Sequence, residues 1–71
     1  MSAASEIKRI RHLLVLQQKE FAEQLRITRA AISNYESGKR MPTMPIIRKI
    51  IELAKKNKVK VNLEEFFNDL S

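Results

Sequence analysis

The chain has 71 residues, with 14 Lys and Arg against 8 Asp and Glu, a formal net charge of +6, and no cysteine. That length allows one small core that buries only about 60% of the unfolded chain's surface, which argues against a large enzyme pocket, and the missing cysteines exclude disulfides and thiolate metal sites. The isoelectric point near 10.1 points to a polyanionic partner, while no apolar run approaches the roughly 18 residues that span a bilayer and no signal-peptide core opens the chain, so a cytoplasmic location away from membranes is expected.

A first helix is expected from about Ser5, with Met1 to Ala4 frayed. Ile7, Ile10 and Leu14 recur at intervals of three and four and face inward, Leu13 and Leu16 widen that stripe, and Lys8, Arg9 and His12 face water. His12 has no carboxylate or cysteine at ligand spacing and reads as a surface residue, so no metal site is expected. A second helix begins at Gln18, with Gln17 a weak cap in place of Ser or Thr. Gln18 and Ala22 share one side of it, Ala22 is small enough for a close helix crossing, and Phe21 and Leu25 face the core. Ile27 carries the core through a turn. Thr28 offers its side-chain oxygen as the cap of a third helix through Arg29, Ala30, Ala31, Ile32, Ser33, Asn34 and Tyr35. Ile32 and Tyr35 point inward. Arg29, Ala30, Ser33 and Asn34 are left on the outer face, where small and polar side chains reach base edges in a major groove. Gly38 closes the helix in a left-handed conformation.

Both prolines lie in Met41-Pro42-Thr43-Met44-Pro45, a loop leading into a fourth helix over about Met44 to Lys56, with Thr43 as cap and Pro45 tolerated in the first turn. This helix buries Ile47, Ile50, Ile51 and Ala54, and Lys55, Lys56 and Lys58 complement its C-terminal dipole. Lys58-Val59-Lys60-Val61 reads as an extended linker, although its alternation also suits a short strand pairing with its own copy across a dimer. Asn62, with Glu65 three residues on, caps a fifth helix carrying Leu63, Phe66, Phe67 and Leu70. Phe66 and Phe67 are about 100° apart, so one packs inside and the other is free to meet a second subunit, joined by Leu70 and Val61. All fourteen basic residues lie between Lys8 and Lys60, so the acidic tail stays off a phosphate backbone. No repeat or low-complexity run divides the chain, and one domain over residues 1–71 is expected.

Residues 18 to 38, from Gln18 through Gly38, resemble the Cro/C1-type helix-turn-helix family of phage repressors and bacterial regulators. The resemblance covers about residues 6 to 67, with the helix-turn-helix over about 18 to 36. It implies an all-α, five-helix, lambda repressor-like DNA-binding domain with no cofactor and no catalytic role. It further implies that Gln18 contacts a phosphate, that Arg29, Ala30 and Asn34 read bases, and that Ser37, Gly38, Lys39 and Arg40 hold the backbone across the groove. A recurrent ion pair of the family falls on Arg11 and Glu36. Two positions depart from the pattern: Val15 and Arg26 stand where glycine is frequent in the family. A β-branched residue at positive φ is strained, so the first turn is expected to take another shape. Arg26 can adopt the geometry more easily, and its charge can reach a phosphate.

Each assignment has a bland counterpart. Arg29 is either a bidentate guanine reader or a solvated helix residue, and Asn34 suits adenine or a phosphate. Ala30 meets a thymine methyl or merely favours the helix, and Ser33 donates to base or backbone. Thr28 joins Gln18, Ser37, Lys39 and Arg40 as candidate phosphate contacts, against a solubilising loop. Glu36 reads as structural, because a lone carboxylate beside DNA needs a neutraliser, for which Arg11 is in place. The expected activity is that of a transcriptional regulator, a repressor reading a palindromic operator as a homodimer. The rival is an antitoxin or protein-interaction module of a toxin-antitoxin or restriction-modification control system that presents Phe67 and Leu70 to a partner such as a toxin. Few free aromatics argue against RNA, and no nucleophile, base and orienting group can be assembled for catalysis.

Overall fold

The computed structural model describes the backbone over residues 2–70 and side chains over residues 2–67. The chain is all-helical there: α1 (Ala3–Leu13), α2 (Gln18–Leu25), α3 (Arg29–Glu36), α4 (Met44–Lys56) and α5 (Leu63–Leu70). α3 packs against both α1 and α2, α5 packs on α1, and α4 packs on α2. The core contains Ile7 and Ile10 from α1, Phe21, Ala22 and Leu25 from α2, Ile32 from α3, Ile47, Ile50 and Ala54 from α4, and Phe66 from α5. Ala22 is 2% exposed, and its single methyl lets α2 lie close against its neighbours.

α1 starts two residues earlier than the sequence suggests, so Ala3 and Ala4 are helical rather than frayed. Ser2 and Ser5 form a reciprocal cap, with Ser5 N–H on Ser2 Oγ at 3.2 Å and Ser2 N–H on Ser5 Oγ at 2.9 Å. Ala3 is fully buried, so packing reinforces the cap. Leu13, expected inside, is 53% exposed. At the other end of the chain, Phe66 is the core aromatic and Phe67 is 47% exposed.

Three helix ends share one device. Val15, Arg26 and Lys58 all have φ near +59° or +58°. In each case the left-handed residue donates to the carbonyl three back, and the next residue donates to the carbonyl five back. The second set comprises Leu16 to Arg11 at 3.2 Å, Ile27 to Ala22 at 3.0 Å and Val59 to Ala54 at 2.8 Å. This is the double hydrogen bond of a Schellman cap. The turn after α1 therefore does take the left-handed geometry, contrary to expectation. Val15 is 86% exposed, so its branched side chain meets no tertiary obstacle and only the local strain remains.

Three caps also differ from expectation. The Gln17 N–H is taken by Glu20 Oε1 at 2.9 Å, which strengthens the start of α2 beyond what Gln17 alone provides. Before α5, the Asn62 N–H goes not to Glu65 but to Glu6 Oε2 at 2.7 Å, across 56 residues of chain. Glu6 also binds Arg9 through both carboxylate oxygens at 2.7 Å, and Arg9 Nη2 donates to the Lys60 carbonyl at 2.8 Å. Arg9 is thus a tether rather than a purely solvated residue. Thr43 occupies the N-cap of α4 without a side-chain hydrogen bond. Residues 59–61 form the expected linker, Lys58 belongs instead to the left-handed cap of α4, and no strand occurs among the described residues.

Candidate nucleic-acid interface

On helix α3 Arg29, Ala30 and Ser33 are exposed and Asn34 is partly so. At 100° per residue these four positions fall within an arc of about 140°. Ile32, fully buried, and Tyr35, packed against the core, hold the opposite side. Thr28 Oγ1 accepts the Ala31 N–H at 3.1 Å, which fixes where the helix starts and leaves the hydroxyl hydrogen free to donate outward.

The far end of α3 is fastened by Glu36. Arg11 Nε donates to Glu36 Oε2 at 2.7 Å, Arg11 Nη2 to Oε1 at 3.0 Å, and Gln18 Nε2 to Oε1 at 3.3 Å. The Arg11 and Glu36 side chains are 11% and 5% exposed. Arg11 Nη1 also donates to the Leu16 carbonyl at 2.9 Å. One guanidinium therefore joins the α1–α2 turn to the end of α3, and the Glu36 hydrogen bond raises the Arg11 pKa still further. Gln18, the expected phosphate contact, spends one amide hydrogen on Glu36 and keeps the other.

After α3 the chain folds back on the helix. Ser37 Oγ donates to the Asn34 carbonyl at 3.2 Å, and the Arg40 N–H reaches the same oxygen at 3.2 Å. Gly38 has φ +80°, and an added Cβ would meet nothing within 4 Å, so glycine is favoured there by backbone geometry and not by space. Both donors of Ser37 are engaged inside the protein, its N–H on Ser33 at 3.0 Å; a phosphate contact would require its hydroxyl to turn away. Lys39 and Arg40 are exposed and make no ion pair among the described residues.

A shallow recess of about 370 Å³ lies at the N-terminus of α2, lined by Arg11, Gln17, Gln18, Lys19 and Arg29. Lys19 and Arg29, the remaining amide hydrogens of Gln17 and Gln18 and the helix dipole favour an oxyanion there, while Arg11 is already paired with Glu36 and the Glu20 carboxylate takes the Gln17 N–H. Gln17 and Lys19 escaped the sequence reading as candidates. The available signal was Lys19 itself, a cation in the first turn of a helix, where it opposes the dipole and has no folding rationale.

The proposed subunit-contact residues separate. Phe67 is exposed, Val61 is half-buried against the core, and the side chain of Leu70 lies outside the described residues. Among the described residues no cluster of His, Asp and Glu fits a metal ion, and no helix is long and apolar enough to cross a membrane. The profile of a helix-turn-helix family matches residues 7–57. No curated protein and no solved structure shows a significant match to the chain.

Proposed function

Because the chain belongs to the Cro/C1-type helix-turn-helix family, we propose that this DNA-binding regulator is a sequence-specific repressor that reads a palindromic operator as a homodimer. The observation that carries this reading is the exposed α3 face, flanked by the cationic recess at the start of α2 and by Lys39 and Arg40 beyond Gly38. In it, Arg29, Ala30, Ser33 and Asn34 read base edges. Gln18, Thr28, Lys39 and Arg40 hold phosphates, with Lys19 added and Ser37 contributing only if its hydroxyl turns. Two copies related by a two-fold axis place α3 in successive major grooves, and the bound dimer blocks polymerase.

Selection from a random duplex pool at about 0.15 M salt tests the reading. An inverted repeat with half-sites about one helical turn apart is expected. Arg29→Ala and Asn34→Ala should each relax preference at one half-site position, each lost bidentate contact being worth about 1–3 kcal/mol. Failure to enrich any sequence refutes it. The exposed Phe67 beside an apolar groove supports a second reading, a protein-interaction module such as an antitoxin; under that reading the same two variants leave partner binding intact.

A further inference from the structure

A groove of about 460 Å³ runs between α4 and residues 58–61. Ile51, Val59 and Val61, all half-buried, form its floor, and the exposed Lys55, Lys58 and Lys60 stand along it. Leu63 borders the same groove and is 46% exposed; one helical turn on, Phe67 is 47% exposed on the same side of α5. The first turn of α5 carries Glu64 and Glu65. One continuous patch therefore holds an apolar groove with a basic rim and an apolar helix with an acidic margin. An isologous two-fold contact needs such a self-complementary surface, since each half must meet the other half on the second copy.

We infer that the groove receives α5 of a second copy of this chain, with Leu63 near the two-fold axis, Phe67 over the apolar floor, and Glu64 against the lysine rim. The inference rests on the dimeric reading above and specifies its contact. Three lysines close together repel one another unless an opposite charge joins them, and the partner's Glu64 supplies it. The wall of the groove is held by the Arg9 bond to the Lys60 carbonyl and the Glu6 bond to Asn62, so the receptor surface is set before the partner arrives.

Sedimentation equilibrium on the full chain tests this with Phe67→Ala, the pair Lys58→Glu with Lys60→Glu, Glu64→Lys, and all three charge changes together. Lys58 and Lys60 lie outside the helices, and unchanged circular dichroism verifies folding. The charge-reversed pair and Glu64→Lys are each expected to raise the dimer dissociation constant on the order of tenfold, and the triple variant to recover most of that loss. Phe67→Ala should also weaken association. A wild-type dimer indifferent to all of these substitutions overturns the α5 contact while dimerisation stands. A wild type that stays monomeric, with selected DNA carrying single half-sites, overturns the dimer as well.

Discussion

Replacing Val15 by glycine should make this protein more stable. Val15 sits at φ +59°, where an L-residue costs about 1–2 kcal/mol, and a β-branched side chain falls at the upper end. With 86% of the residue exposed, removing the side chain forfeits little buried surface. Against the relieved strain stands the freedom glycine adds to the unfolded chain, about 0.4–1 kcal/mol. The net is a gain of about 1 kcal/mol, or about 4–8 °C in Tm for a domain of this size. Arg26→Gly should gain about half as much, because an unbranched side chain is less strained in the same conformation. Thermal melts and urea titrations with an unchanged m-value measure both. A fall in Tm for Val15→Gly, or a larger gain at Arg26, would refute the argument that local backbone strain governs these turns.

Arg11→Met leaves the buried Glu36 carboxylate without its main partner and should cost about 3–5 kcal/mol, most of the roughly 4–10 kcal/mol available to a domain this small. Adding Glu36→Leu should restore part of it, and a double variant as damaged as the single would disprove the uncompensated-charge account. Burial pushes the Glu6 carboxyl up, but the Arg9 hydrogen bond, the Asn62 N–H and the Arg9 charge outweigh it and hold the pKa below its ordinary 4.5. Its contribution is therefore complete above pH 4.5 and lost as pH falls through the lower folded value; Glu6→Gln should flatten that acid loss in urea midpoints measured across pH. Phe66→Ala should cost about 3–5 kcal/mol and Phe67→Ala, at low protein concentration, less than about 1 kcal/mol. Similar costs at the two positions would show that the core aromatic is misassigned.

The central helices were legible because their determinants are local. The i and i+4 spacing of Phe21 and Leu25, the hydroxyl of Thr28 and the single glycine at 38 lie within one another's reach along the chain. That is why α2 and α3 begin and end where periodicity and capping place them. The outer face of α3 followed from the same period. Less legible were features settled by distant partners. Glu6 and Arg9 have the spacing of an ordinary solvated pair, and nothing near them announces Asn62, 56 residues away. Val15 misled for a different reason: residue preference argues against a left-handed valine, yet the two hydrogen bonds of the turn and the burial of Leu14 and Leu16 on either side outweigh it. The internal partner of the Ser37 hydroxyl, the Asn34 carbonyl, was not legible because it depends on how the chain folds back after the helix.

The fastening of Glu36 by Arg11 and Gln18 has a thermodynamic consequence for encounter with any ligand of α3. Both ends of that helix are secured before contact, Thr28 at one and Glu36 at the other, so the conformational entropy of ordering it is surrendered during folding and not during association. Binding should then proceed nearly as a rigid-body event, with a heat-capacity change matching the contact surface alone and without the larger signature of coupled folding.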